Sequence, residues 1–188
     1  NRGIINKVTS LHKDGGRSFF ENHFEQSELK EECCDENIYV ASTIFTSIEE
    51  YVLLIAHHVQ KDNIKVVVFD NFELLPETNS TYGIVAVLKE IAEVFNITII
   101  LGGTLDQSCE KRGGDKKPRL RDIGIGTHLF PMLDVVLLLY RPEYYGFLQD
   151  EYGNSTAGRL EVIIAKDRNN EPFDLKVDCL FYEKTITS

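Results

Sequence analysis

The stretch Lys65-Val66-Val67-Val68-Phe69-Asp70 decides the fold. Four consecutive apolar residues, three of them β-branched, show no polar alternation. Such a run reads as a strand buried on both faces. It closes on an acid. Upstream, Thr46-Ser47-Ile48-Glu49 reads as a capping box, with Thr46 and Glu49 set to satisfy the free N–H groups of a helix start. Ile48, Val52, Ile55 and Val59 then fall on one helical stripe. Downstream, Asn79-Ser80-Thr81 opens a second helix, whose stripe is Ile84, Leu88, Ile91 and Phe95. Ile97 to Leu101 forms another buried strand. Ile38-Tyr39-Val40 reads as a short strand, and Val135 to Leu139, Leu160 to Ala165 and Leu175 to Leu180 complete the set.

Strands alternate with helices through Leu101, and the rest is strand-rich. That pattern predicts an α/β fold, mostly parallel, with antiparallel strands at the C-terminal end. Sheets of this kind hold ligands beyond the carboxyl ends of their strands. Asp70, Gly102-Gly103-Thr104, Tyr140-Arg141 and Lys166-Asp167-Arg168 all fall at or just past predicted strand ends. Yet the phosphate-cradling loop G-x-x-x-x-G-K-S/T is absent from these 188 residues. Gly15-Gly16-Arg17-Ser18 lacks both the lysine and the spacing.

Composition narrows the classes. Residues 1–36 are polar and glutamate-rich, which predicts a partly helical, solvated segment before one domain over 37–188. A net charge of −10 argues against a protein that grips nucleic acid unaided, because phosphate contacts supply most of that affinity. Apolar runs reach about six residues, far short of the roughly 20 that a membrane span needs. No signal-peptide pattern opens the chain, which starts on Asn1 rather than Met and so leaves room for residues upstream. Cys33, Cys34, Cys109 and Cys179 have no zinc or redox spacing, and reduced thiols fit a cytoplasmic protein. The glycosylation patterns at Asn79, Asn96 and Asn154 read as chance without a secretory signal.

Five groups could carry chemistry. An acid at the end of a buried strand, such as Asp70, can hold Mg²⁺ or its water near a phosphate; the plainer reading is a turn cap. Lys166 and Arg168, two apart on an extended segment, point the same way and can bracket phosphate charge. Their plainer reading is a strand end with ordinary ion pairs. Residues 110–122, Glu-Lys-Arg-Gly-Gly-Asp-Lys-Lys-Pro-Arg-Leu-Arg-Asp, form the one basic stretch. Glycine and proline mark it as a mobile loop that can track a nucleic-acid backbone or simply stay solvated. His57 reads as solvent-facing and His58 as flanking the buried stripe, with no carboxylate or nucleophile at catalytic spacing. Tyr144-Tyr145 can stack on a base or pack a turn.

Together these segments resemble the C-terminal motor domain of DnaB-type replicative helicases, over roughly residues 37–182. Tyr140-Arg141-Pro142-Glu143-Tyr144-Tyr145, then Gly158, then Glu161-Val162-Ile163-Ile164-Ala165-Lys166-Asp167-Arg168-Asn169, is similar to that family's Y-R-x-E-Y-Y … G-x-x-E-I-I-x-A-K-x-R-N signature. Asn37-Ile38-Tyr39-Val40 resembles its N-I-Y-I strand, and Asp115-Lys116-Lys117-Pro118 its D-K-R-P loop; Asp122 and Asp134 also match. The resemblance implies a RecA-like sheet of the P-loop NTPase type, with ATP and Mg²⁺ as the family's cofactors. It implies hexameric rings around single-stranded DNA, with each ATP between two subunits. Asp70 falls at the Walker-B position, which would ligate Mg²⁺ only when nucleotide is bound. Lys166 and Arg168 fall at the finger that acts on a neighbour's nucleotide, and Thr104 at the glutamine that senses γ-phosphate. Lys111, Arg112, Lys116, Lys117 and Arg119 are the candidates for weak single-stranded DNA contact.

The departures matter as much. The phosphate loop and the strand bearing the catalytic glutamate are missing from the chain. The family's S-Q pair is Gly103-Thr104, and its DNA-gripping D-L-R-E-S-G reads Asp122-Ile123-Gly124-Ile125-Gly126-Thr127. E-Q-D-A-D reads Phe130-Pro131-Met132-Leu133-Asp134. Three readings stay open: a degenerate domain that acts through protein contacts with itself or helicase-type subunits and needs no cofactor of its own, a cut piece of an active helicase, and an unrelated α/β protein.

Overall fold

The computed structural model describes residues 38–41, 46–75, 81–114, 116–124, 127–169 and 173–178. The predicted segment 1–36 lies outside them. The chain divides into two compact units, Asn1–Gly103 and Thr104–Ser188.

In the first unit, helix α1 (Ile48–Asp62) starts one residue later than its sequence signal. Ser47, not Thr46, is the N-cap, with extended φ −136° and ψ 152°. Glu50 therefore occupies the third helical position and collects the amides of Thr46 at 3.1 Å and Ser47 at 3.2 Å. Ile48, Val52, Ile55 and Ala56 are buried, and Val59 only half so. Asn63 ends the helix in the left-handed conformation, φ 56°, which asparagine tolerates better than most residues. Strand β1 (Val66–Phe69), helix α2 (Thr81–Phe95) and strand β2 (Thr98–Leu101) form a parallel crossover, with Val66 opposite Thr98 and Phe69 opposite Leu101. The predicted α2 stripe, Ile84, Leu88, Ile91 and Phe95, is buried throughout.

Two expectations fail here. Ile38-Tyr39-Val40 is irregular and exposed, with no ladder partner among the described residues. The β1–β2 pair is covered on one face only among the described residues: Val66, Val68 and Ile100 stay 51%, 61% and 49% exposed, whereas Val67, Phe69, Ile99 and Leu101 are half-buried. A valine run reports fitness for a pleated surface, not the number of layers above it.

The second unit carries an antiparallel sheet of order β3 (Val135–Tyr140), β4 (Arg159–Asp167), β5 (Phe173–Asp178). β3 alternates, burying Val136, Leu138 and Tyr140 and exposing the residues between. These pack with Ile163, and Leu105, Leu120, Ile123, Leu133, Tyr145 and Ala165 close around them. The β3–β4 register slips: Val136 faces Lys166, but Leu137 faces Ile164, so Ala165 is an extra residue. Such bulges re-aim the strand beyond them. β4 also runs to Asp167, so Lys166 lies inside the strand rather than past its end. No helix among the described residues is long and apolar enough to cross a membrane.

Candidate functional site

In the first unit, the ends of β1 and β2 are zipped together. Gly102 N–H donates to Phe69 O and Phe72 N–H to Gly102 O, both at 2.8 Å. Asn71 makes the turn possible by adopting φ 70°. Asp70 is the first residue past β1 and is exposed. A Cβ on Gly102 would lie 3.7 Å from its Oδ1. Asp70 thus stands where the sequence places a Mg²⁺-ligating acid, and it could supply one oxygen of an octahedral shell. Among the described residues no cluster of three or more His, Cys, Asp or Glu could hold a metal by itself.

The next position is closed by a side chain that no sequence motif marks. A Cβ on Gly103 would lie 2.8 Å from the Phe72 ring and 3.2 Å from Glu73 Oε1. Real Cβ contacts are not that short, so the Phe72 ring takes the room a side chain at 103 would use. Thr104, which opens the second unit, is exposed.

Lys166 and Arg168 share one target segment, Phe130 to Asp134, at the end of the 3₁₀ turn Thr127–Met132. Lys166 Nζ donates to the carbonyls of Phe130 and Leu133, the latter at 2.5 Å. Helix ends leave carbonyls without partners, and a lysine ammonium has three donors to offer them. Arg168 reaches Asp134 twice, its backbone N–H to Asp134 O at 2.8 Å and its Nε to Oδ1 at 3.0 Å. That ion pair is open to water, with side chains 59% and 48% exposed.

The basic stretch is less free than its glycines suggest. Helix α3 (Ser108–Lys111) opens it and a 3₁₀ turn, Leu120–Asp122, closes it. Asp122 is buried, accepts from Arg112 at 2.5 Å and from Arg119 N–H at 2.8 Å. Burial pushes its carboxyl upward, but the Arg112 and Arg119 hydrogen bonds outweigh that and hold it below the usual carboxylate range. Lys117 pairs with the largely buried Glu161 at 3.1 Å, and Lys116 Nζ donates to the carbonyls of Glu110 and Arg112. Of the candidate DNA contacts, Lys111 and Arg119 are exposed, while Arg112, Lys116 and Lys117 are bound into the loop. The ends of the stretch are tied together where Asp122 meets Arg112, because a buried carboxylate demands its counter-charge.

Tyr145 stacks on Tyr140, ring centroids 5.7 Å apart, so it packs the turn; burial pushes its phenol pKa up. Tyr144 meets Tyr145 edge-on and is 72% exposed. Arg141 pairs with Glu143, whose other oxygen accepts from Gly158 N–H at 2.8 Å. The signature residues Arg141, Glu143 and Gly158 are thus one hydrogen-bonded clasp. Both histidines are half-buried, and His58 does have a carboxylate partner: Nδ1 lies 2.6 Å from Asp62 Oδ2. The i,i+4 spacing on α1 signalled that pair.

These features define a RecA-like α/β domain. A DnaB-like replicative helicase, described with its interactions with primase, shares the fold with a TM-score of 0.60 and 23% identity, over 72% of this chain and 34% of its own. The sequence profile of the DnaB-like helicase C-terminal domain matches residues 8–187, reaching further upstream than the motifs. The chain belongs to that family. The replicative helicase DnaB of Mycobacterium leprae is 30% identical over 117 residues, 58% of this chain and 18% of that protein. DnaB of Rhodothermus marinus is 61% identical over 36 residues, 19% of this chain and 4% of that protein. The chain spans less than a fifth of the length of these relatives.

Proposed function

We propose that this domain acts through protein contacts, with its own copies or with DnaB-type motor subunits, in DNA replication or mobile-element maintenance, and does not hydrolyse ATP by itself. One observation carries the reading. The positions that would read ATP and DNA within one subunit have changed, at Gly103-Thr104 and Gly124-Ile125, while the pair that would act on a neighbour, Lys166 and Arg168, remains.

The residues present fit only part of a nucleotide site. Asp70 offers an exposed carboxylate for Mg²⁺, but no phosphate loop faces it in the sequence, and Phe72 fills the room beside Gly103. Bound ATP and Mg²⁺ would supply the phosphoryl group and its counter-charge; this chain's own share would be the Asp70 oxygen toward Mg²⁺ and, separately, Arg168 toward a neighbour's nucleotide. Preorganised charge supplies most of the catalysis in phosphoryl transfer, so these 188 residues, which carry no cradle motif, should be silent alone. DNA contact, through Lys111, Arg112, Lys116, Lys117 and Arg119, is expected to be weak and salt-sensitive. Arg112, Lys116 and Lys117 are already engaged within the chain.

The short span relative to full helicases supports a second reading, a piece of an active enzyme. Two measurements separate them. Titration of the chain into a DnaB-type helicase, followed by size analysis and ATPase rate, should give a complex whose rate falls with Arg168→Ala. No complex would sink the first reading. A longer product of the same open reading frame that hydrolyses ATP unaided would establish the second.

A further inference from the structure

The connection between β3 and β4 contains a small hairpin that leaves its apolar groups in water. Asp150 N–H donates to Asn154 O at 2.9 Å and Thr156 N–H to Leu148 O at 3.1 Å, with Gln149 bridged to Ser155 between them. Gly153, at φ 80°, closes the turn, and its N–H donates to Asp150 O at 3.0 Å. The Asp150 carboxylate accepts from the backbone of Tyr152 and Asn154 and holds Arg159. The buried Thr156 hydroxyl donates to Phe147 O. These polar groups are engaged inside the chain. The large apolar side chains are not: Phe147, Leu148 and Tyr152 are 39%, 68% and 77% exposed. All three lie outside the stretches that match the helicase signature. A hairpin tied in this way holds its side chains in place before a partner arrives, so docking on it costs little ordering. Exposed apolar groups gathered on one loop mark contact surfaces, and aromatic anchors carry most of the energy of such contacts.

Charge and area say what fits. No Lys, Arg or His lies between residues 142 and 158, and Glu151 is exposed beside Tyr152. Phosphate contacts supply most nucleic-acid affinity, and this hairpin has no cation to make them. Two aromatic rings and a leucine, even fully covered, bury at most about 500 Å². A stable interface between two folded chains takes roughly 800 Å² from each. The occupant is therefore small, apolar and basic. We propose that hairpin 147–156 is a docking knob for a short segment of another protein, one that carries apolar side chains flanked by lysine or arginine. Such a partner is additional to any motor-type subunit.

The test follows fluorescence anisotropy of labelled peptides added to the whole chain. The probe is an amphipathic helical peptide made of Leu and Lys, and its two counterparts replace Leu by Ser or Lys by Glu. The Leu/Lys peptide should bind about tenfold more tightly than either counterpart, and Leu148→Ser and Tyr152→Ser should each weaken it about five- to tenfold. Both side chains are exposed, so each variant should keep its Tm within about 2 °C, and if one does not fold the other still decides. Equal binding of the Leu/Lys and Ser/Lys peptides, or binding indifferent to both substitutions, overturns the proposal, because charge alone then accounts for it. Tighter binding of the Leu/Glu peptide overturns the commitment to a basic partner. Sedimentation velocity showing a dimer that Leu148→Ser dissolves would assign the hairpin to a second copy. An oligothymidine that binds the native chain but not Tyr152→Ser would assign it to single-stranded nucleic acid. Either result overturns the proposal.

Discussion

The carboxyl ends of β1 and β2 contrast with the β3–β4 end and its flanking loops. In the first region the acid Asp70 stands exposed, with no ion pair among the described residues, beside two glycines. In the second, most residues that match the helicase pattern have work to do within their own chain. Asp122 anchors Arg112, Glu143 clasps Arg141 and Gly158, Glu161 holds Lys117, and Lys166 ties off a turn. The difference teaches that a matching residue is not by itself a working site. In the second unit, folding alone gives reason to keep the pattern. In the first, nothing among the described residues gives Asp70 such work within its own chain.

The contrast can be broken first by attacking the buried pair. Arg112→Ala leaves Asp122 charged in a site only 4% exposed and should cost about 3 kcal/mol in urea unfolding. A loss under about 1 kcal/mol would mean the loop is not held by that pair. Next, Gly103→Ala forces a methyl against Phe72 and should cost about 1–3 kcal/mol, with Phe72→Leu in the same chain recovering most of it. An unaffected single variant would show that the room beside Gly103 is open.

Acid sharpens the second region further. Asp150 accepts from the backbone of Tyr152 and Asn154 and pairs with Arg159 at 3.0 Å. Those bonds, led by that from Asn154, bring its pKa down to about 2. The folded value lies below the unfolded one, so this stabilisation is complete above roughly pH 4 and is lost as pH falls towards about 2. Asp150→Asn should lose that component of acid unfolding, and an identical acid profile would contradict it. The smallest effect is expected in the first region: Asp70→Ala should move stability by no more than about 0.5 kcal/mol, since nothing described depends on it.

Much of this was legible in the sequence. The α2 stripe and the switch from parallel to antiparallel strands follow from periodicity, which repeats often enough along a helix or strand to survive local noise. The cap of α1 was misplaced by one residue because Thr46 and Ser47 are equally good caps, and only the backbone angle chooses. What stayed hidden were long-range partners. Arg112 and Asp122 meet across a glycine loop, Lys166 reaches carbonyls over thirty residues away, and Phe72 meets Gly103 only when β1 and β2 pair. No local pattern encodes such meetings. The His58–Asp62 pair is the exception, since its i,i+4 spacing on a helix encodes the contact.

The most direct test of the account is steady-state ATPase of the purified 188-residue chain with saturating Mg²⁺ and ATP. The account predicts no turnover above background, and no difference between the native chain and Asp70→Ala. Turnover that Asp70→Ala abolishes would contradict it, because it would show a complete hydrolytic site where these 188 residues carry no phosphate-loop motif.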